Sequence, residues 1–136
     1  MSATETMQLG PIGQIAINAK DLPRAVRFYR DTLGLRFLFE APPQMAFFDC
    51  GGVRLLVGVA SEPMFDHPAS VIYYRVDDIA AAHRVLTGRG VQFISTPHLV
   101  ARLPDHELWL ADFRDTEGNV LALMSEVRPA ASAPRR

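Results

Sequence analysis

The sequence predicts an α+β protein built from two tandem βαβββ modules, because it carries nearly the same pattern twice. Residues 14–22 and 71–79 match position for position, each a strand-like run followed by an aspartate suited to a helix N-cap. Each run continues into a helical pattern ended by glycine, an extended segment and a glycine-containing hairpin. Such repetition indicates paired units, and we place them at residues 10–60 and 69–127 of one domain spanning 1–136.

Both helices are predicted from apolar spacing and from their end signals. In the first, positions 22, 25, 26, 29 and 33 fall on one face, Asp21 is the N-cap, and Gly34 follows the end. In the second, Asp78 caps a stripe that includes His83, and Gly90 ends it. Because His83 falls on the packing side, we interpret it as a structural histidine.

Eight strands are predicted from β-branched and aromatic runs between turn residues. They cover residues 12–18, 35–40, 45–49, 53–59, 71–76, 92–95, 106–114 and 120–126. The proline-bounded segment 96–107 has the length of a mobile flap over a cavity. The tail 128–136 and the polar residues 1–8 show no pattern that could pack, and we expect them to be loose.

The composition excludes several classes of partner. A length of 136 residues with 49% hydrophobic content suffices for one buried core. Lys and Arg number 14 against 15 Asp and Glu, and no basic run is present, which argues against nucleic-acid binding. Cys50 is the only cysteine, so an intrachain disulfide is impossible. With no signal-like or membrane-spanning segment, we expect a cytoplasmic protein without a membrane partner.

Two motifs carry a family resemblance. Phe-Tyr-Arg-Asp-Thr-Leu-Gly-Leu at residues 28–35 and Phe-Arg-Asp-Thr-Glu-Gly-Asn-Val-Leu at residues 113–121, in this order of elements, resemble the vicinal oxygen chelate superfamily. That superfamily includes glyoxalase I, fosfomycin-resistance enzymes, extradiol dioxygenases, methylmalonyl-CoA epimerase and bleomycin-binding resistance proteins. The resemblance covers residues 12–126 and implies sheets that curl around a cavity, usually in a homodimer. It leaves function open, because the family contains metalloenzymes and plain binders.

The resemblance also implies four metal ligands, typically His, Glu, His and Glu, on the first and last strands of each module. The matching positions here are Gln14, Leu55 or Leu56, Val71 and Ala122. Only Gln14 could donate to a metal, and one amide oxygen among aliphatic groups is a poor divalent site. We therefore expect no metal and no cofactor. A substitute site from His67, His98 and His106 is an alternative, but their spacing matches no compact ligand motif.

Asp112 is the strongest functional candidate, because it interrupts an otherwise apolar strand and burying an unpaired carboxylate is costly. Strand alternation places Leu110 and His106 on its face. If Leu56 rather than Leu55 is the second ligand position, Arg54 faces the same cavity. The resulting prediction is that Asp112 and His106 are candidate catalytic residues and that the ligand contacts Gln14, Arg54, Leu56, Val71, Tyr73, Leu110, Ala122 and Met124. Structurally, Arg54 could instead point to solvent, Asp112 could pair with an arginine, and His106 could lie in a loop.

Two functions follow. The favoured one is metal-independent binding of a small organic molecule, as in the bleomycin-resistance proteins. The alternative is a metal-independent isomerase or lyase in which Asp112 is the general base and Tyr73, Arg54 or Gln14 polarises the substrate oxygen. A metal-dependent dioxygenase or glyoxalase-type enzyme using the substitute histidine site ranks third. No nucleotide-binding or serine-hydrolase motif is present, and Cys50 is interpreted as a turn residue.

Overall fold

A computed structural model describes residues 7–129 and shows two modules with the same order of elements. The first consists of β1 (Gln14–Asn18), α1 (Leu22–Arg27), β2 (Arg36–Ala41), β3 (Met45–Cys50) and β4 (Val53–Gly58). The second consists of β5 (Ile72–Arg75), α2 (Ile79–Gly88), β6 (His98–Arg102), β7 (Glu107–Arg114) and β8 (Val120–Val127). Most of the predicted loose ends, residues 1–6 and 130–136, lie outside the described residues.

Each module forms its own four-stranded sheet, and the two sheets have matching topology. Their strand orders are β1-β4-β3-β2 and β5-β8-β7-β6. The first and last strands of each module pair in parallel, with Gln14 opposite Arg54 in one sheet and Ile72 opposite Leu121 in the other. The remaining pairs are antiparallel. The predicted α+β fold with two βαβββ modules is confirmed, and the sheets are not closed on themselves.

The predicted helix ends are present, although the first helix changes its winding. Asp21 accepts a hydrogen bond from the Arg24 amide at 3.1 Å, and Asp78 accepts one from the Ala81 amide at 3.0 Å. Gly34 has φ +78°, the left-handed conformation that favours glycine. Between α1 and Gly34, residues Phe28–Thr32 form a π-helical turn. None of the helices within residues 7–129 is long and apolar enough to cross a membrane.

One hydrophobic core joins the helices to one face of both sheets. Fully buried members include Tyr29 on the π-helical turn, Phe48 and Val57 in the first sheet, and Phe113 and Leu121 in the second. Because neighbouring residues on a strand point to opposite faces, Arg54 and Leu56 lie on the far side of the first sheet from Leu55 and Val57. We call this side of each sheet, turned away from the core, the outer face.

The edge of the second sheet differs from the prediction. Residues 92–95 do not form a strand; Phe93 makes a single bridge to Phe113, and the Ile94 amide donates to the Asp112 carbonyl at 2.7 Å. The edge strand is β6, within the segment predicted as a flap, so both predictions are wrong there. The physical reason is Pro97, which has no amide hydrogen and interrupts a segment that otherwise follows β7 along its length.

Candidate functional site

The outer face of the first sheet carries an ordered arginine. Arg54 donates from Nε to Oε1 of Gln14 at 3.0 Å, and its guanidinium carbon lies 5.7 Å from the centroid of the Phe47 ring. Strand pairing explains both contacts. Arg54 in β4 is opposite Gln14 in β1, and Phe47 in β3 is opposite Leu56, which lies on the same face of β4 as Arg54. Leu55 is packed in the core and Leu56 is half-buried on the outer face, so Leu56 shares a face with Arg54.

The outer face of the second sheet carries Asp112. Asp112 in β7 is opposite Ala122 in β8, and Ala122 is opposite Tyr73 in β5, so the three residues form a row across the sheet. Asp112 is half-buried, and its carboxylate makes no hydrogen bond or ion pair with any residue between 7 and 129; only its backbone groups are engaged, by Ser95 and Ile94. Tyr73 is 50% exposed. A half-buried carboxylate in the same row as an exposed aromatic ring is a group that can contact a ligand.

Three further predicted contact residues flank this row. Leu110 and Met124 are opposite each other in β7 and β8, and Met124 is also opposite Arg75. Val71 lies just before β5 and is 41% exposed. The predicted residues of the second module therefore share one surface, apart from His106.

His106 lies elsewhere, in the turn between β6 and β7. Its Nδ1 is 2.8 Å from Oδ1 of Asp105, and Arg128 contacts the same carboxylate at 2.9 Å. Hydrogen bonds from His106 and from Arg128 lower the pKa of Asp105. Asp112 lies six positions after His106 along an extended strand, which corresponds to roughly 20 Å. Alternation put the two side chains on one face, but this distance keeps them apart.

The polar groups that were predicted to line one cavity therefore lie on different parts of the chain. Gln14 and Arg54 belong to the first sheet, Tyr73 and Asp112 to the second, and His106 to a turn at the far end of β7. Of the histidines of the alternative metal site, His67 and His98 each contact a nearby backbone carbonyl, of Pro68 and Thr96. Within residues 7–129, no group of three or more His, Cys, Asp or Glu side chains could hold a metal ion.

The sequence analysis did not predict that residues 59–71, the linker between β4 and β5, line a pocket of the candidate site. A pocket of about 360 Å³ lies on the outer face of the first sheet, between Ala16 and Leu56 on the strands and Phe65 and His67 on the linker. The linker holds a 3-10 turn, Pro63–Phe65, and Phe65 is 55% exposed. The available signal was the pair of large apolar residues, Met64 and Phe65, in the connection between two strands. Exposed apolar side chains beside a pocket are typical of binding surfaces.

A second pocket, of about 430 Å³, lies where the modules meet, and it borders a buried polar cluster. Glu117 accepts hydrogen bonds from the amides of Lys20 and Asp21, at 2.6 and 2.9 Å, and from Nε of Arg24 at 2.8 Å. Burial alone would raise its pKa, but the hydrogen bonds from Arg24, Asp21, Thr116 and Lys20 lower the pKa of Glu117 to about 2. The carboxylate is thus held ionised at the start of α1.

Asp115 is the second buried carboxylate of this cluster. It accepts the Tyr29 hydroxyl at 2.7 Å, the amides of Glu117 and Asn119, each at 2.8 Å, and the Asn119 side chain at 2.8 Å. Burial and then the charge of Asp115 raise the pKa of Tyr29. Every oxygen of Asp115 has a protein partner, so the group ties the modules together and is not available to a substrate.

The four positions that the resemblance assigns to metal ligands carry few donor atoms. Leu56, Val71 and Ala122 have no donor atom, and the one possible donor, Oε1 of Gln14, already accepts the hydrogen bond from Arg54. The guanidinium charge next to that oxygen would also repel a metal cation. A metal site needs several oxygen, nitrogen or sulfur donors converging on one point, and these four positions do not supply them.

Paired βαβββ modules with separate four-stranded sheets define the class of fold to which this chain belongs. The model of the family described as Glyoxalase/Bleomycin resistance protein/Dioxygenase superfamily matches residues 11–123, and the chain belongs to this family.

A sequence relative and a solved structure agree with this family, and a second solved structure shares the fold. A "Glyoxylase-like domain-containing protein" from Didymella fabae is 31% identical over 121 residues, which cover 84% of this chain and 92% of the relative. The lactoylglutathione lyase of Agrobacterium tumefaciens has a TM-score of 0.65 at 25% identity, covering 88% of this chain and 96% of that one. TnmS3, an antibiotic binding protein from Streptomyces sp. CB03234, has a TM-score of 0.72 at 24% identity, covering 89% and 99%.

Proposed function

We propose that this protein binds a small organic molecule on the outer faces of its sheets, without a divalent metal. The observation that carries the proposal is the set of side chains at the four positions that the resemblance assigns to metal ligands, Gln14, Leu56, Val71 and Ala122, with Arg54 hydrogen-bonded to the one donor among them. Apolar and aromatic side chains with a few polar groups are the usual lining of small-molecule sites. The outer faces combine Leu56, Phe47 and Tyr73 with Arg54 and Asp112, which fits that description.

The fold is compatible with binding as the whole function. TnmS3, which has the same fold, is described as an antibiotic binding protein. That likeness is one of fold and carries no ligand identity across to this chain. It supports the proposal by giving an instance in which this architecture serves as a binder.

A second copy of the chain completes the site in this proposal. The two outer faces belong to separate sheets and leave large apolar side chains open, with Tyr73 50%, Phe39 45% and Val71 41% exposed. Apolar surface of this kind is usually covered by a partner, and homodimers are the commonest assembly. Sedimentation equilibrium at micromolar concentration should give the mass of two chains; a mass of one chain contradicts this part of the proposal.

The binding proposal is tested on the purified protein. Native mass spectrometry should find a copurified organic molecule, and elemental analysis after mild chelation should find no stoichiometric zinc, nickel, iron or manganese. Tyr73→Ala should weaken retention of that molecule by about tenfold, because an aromatic contact contributes on the order of 1 kcal/mol or more. Val85→Ala, on the exposed side of α2, is the matched control. Stoichiometric metal in the chelated protein would refute metal independence.

Asp112 supports a second candidate function, a metal-independent isomerase or lyase. Its half-buried carboxylate has no side-chain partner within residues 7–129 and lies in a row with Tyr73. A general base removes a proton from the substrate carbon next to a carbonyl, and Tyr73 would donate a hydrogen bond to the resulting enolate oxygen. Asp112→Asn keeps the size of the side chain but removes the base, so turnover should fall by a factor of roughly 100 or more while affinity changes little. If Asp112→Asn turned over substrate at the parent rate, the proposed catalytic role of Asp112 would be refuted.

A further inference from the structure

We infer that Arg54 and Gln14 form a recognition site for a carboxylate group, so that the ligand of this protein is an acidic organic molecule. The inference rests on the proposed function and specifies its ligand class. It assigns to Gln14, at the position of a family metal ligand, the role of holding an arginine in place. The guanidinium then supplies the positive charge to which an anionic oxygen can bind.

The geometry fixes the guanidinium on two sides. Nε donates to Oε1 of Gln14 at 3.0 Å, and the guanidinium carbon lies over the Phe47 ring, 5.7 Å from its centroid, within cation–π range. The backbone beneath it is also fixed, because the Arg54 amide donates to the Gly13 carbonyl at 2.9 Å. With Nε engaged, both terminal nitrogens remain as donors. A side chain held in this way loses little conformational entropy when it binds a ligand.

The Arg54 guanidinium forms no ion pair with a carboxylate of residues 7–129. The nearest carboxylate by strand register is Asp49, directly opposite in β3. Asp49 instead accepts the Gly52 amide at 3.1 Å and lies 3.9 Å from Arg36. Within residues 7–129, no Asp or Glu oxygen lies within 4.0 Å of an Arg54 nitrogen. Other exposed arginines, such as Arg30 and Arg102, do have carboxylate partners.

The chemistry of the free groups selects the ligand. Two terminal guanidinium nitrogens present parallel donors that match the two oxygens of a carboxylate, and such charge-assisted bonds are about twice as strong as neutral ones. The adjoining surface is apolar, since Leu56 and Ala16 line the neighbouring pocket together with Phe65. An aromatic or aliphatic body beside a carboxylate head would contact both regions. Arg54 would act by binding, with no covalent step.

The test compares two probes of the same shape, 2-naphthoate and 2-naphthamide, which differ by one charge. Affinities for the full chain are measured by isothermal titration calorimetry or by NMR shift titration. We expect the parent to bind the carboxylate about tenfold more tightly than the amide, and the preference to shrink as sodium chloride is raised. Arg54→Gln should erase the preference, with the affinity for the carboxylate falling by about tenfold more than the affinity for the amide. Arg84→Gln, an exposed arginine on α2, is the matched control and should keep the preference.

Two variants of Gln14 test the orienting role. Gln14→Glu should erase the preference as fully as Arg54→Gln does, because the new carboxylate neutralises the guanidinium. Gln14→Leu keeps the charge but releases Nε, and should reduce the preference by about threefold. Equal reduction of both probes by either change would indicate damage to the pocket instead of lost charge recognition, and would overturn the inference.

The outcomes separate this inference from the proposed function. If both probes bind the parent equally, or if Arg54→Gln keeps the preference, carboxylate recognition is refuted while small-molecule binding stands. If neither probe binds, both are refuted for ligands of this class. If Arg54→Gln and Asp112→Asn each convert a dimer to monomers in sedimentation, Arg54 pairs with a carboxylate of a second copy, and the ligand assignment is overturned.

Discussion

The two hairpins that join the last two strands of each module differ in what surrounds their acidic residues. In the β3–β4 hairpin, Asp49 is partly exposed and accepts the amide of Gly52. In the β7–β8 hairpin, Asp115 and Glu117 are only 7% and 6% exposed and accept hydrogen bonds from the other module. Related modules have thus diverged at one loop. The acidic residue of one hairpin bonds within its own module, whereas those of the other also bond to groups of the other module.

The largest expected effect of this difference is on stability. Asp115→Ala leaves the Tyr29 hydroxyl and the Asn119 side chain without their buried acceptor, which should lower the free energy of unfolding by roughly 3 kcal/mol or more. Asp49→Ala in the other hairpin should cost about 1 kcal/mol or less, because its partners remain solvated. Urea denaturation of both variants measures the two losses. Equal losses would contradict the contrast between the hairpins.

The second expected effect is the dependence of stability on pH through Glu117. The pKa of Glu117 is about 2 in the folded protein against 4.5 for a free glutamate, so the folded state favours the ionised form. The stabilisation is therefore complete above about pH 5 and is lost as the pH falls from 4.5 towards 2. Glu117→Gln should cost about 2 kcal/mol at neutral pH and flatten this part of the curve. Urea midpoints measured between pH 6 and 2.5 test it, and parallel curves for parent and variant would refute it.

The smallest expected effects come from two buried tyrosine hydroxyls. Tyr29→Phe removes a hydrogen bond to Asp115 and should cost about 1 kcal/mol. Tyr74 is different, because its buried hydroxyl has no hydrogen-bond partner among residues 7–129, and burial followed by the charges of Cys50 and Asp115 raises its pKa. Tyr74→Phe should therefore be neutral or stabilising by up to about 1 kcal/mol. In thermal unfolding, Tyr29→Phe should lower the midpoint, whereas Tyr74→Phe should leave it unchanged or raise it; a loss at Tyr74 equal to that at Tyr29 would contradict this.

The repeated pattern made the fold predictable, and the failures have local causes. The matching runs at residues 14–22 and 71–79, with Asp21 and Asp78 as helix caps, predicted both modules and both helix starts. The edge of the second sheet was misassigned because prolines at 97 and 104 indicated a loop, although β6 alternates exposed and half-buried residues as a strand does. The π-helical turn at Phe28–Thr32 has no sequence signal, since the same apolar spacing predicts a continuous α-helix.

The candidate site was predictable by face and not by distance. Alternation placed Leu110 with Asp112, and it placed Arg54 on the cavity face if Leu56 was the second ligand position. The structure puts Arg54 and Gln14 on the outer face of one sheet and Asp112 and Tyr73 on the outer face of the other. Alternation could not reveal that the pairs lie on separate sheets, since that depends on how the modules pack. The cross-strand bond from Arg54 to Gln14 was also beyond prediction, because a parallel register is fixed only when both strands are in place.

The parallel pairing of each module's first and last strands has a consequence for folding order. β1 cannot be paired until β4 exists, 40 residues later at the contact between Gln14 and Arg54. The contact between Arg24 and Glu117 spans 93 residues and has to wait for both modules. Contacts this distant in sequence are slow to form, because the intervening chain must be closed first. During synthesis, the first module can therefore be complete while the second is still emerging, and the contact between Arg24 and Glu117 forms last.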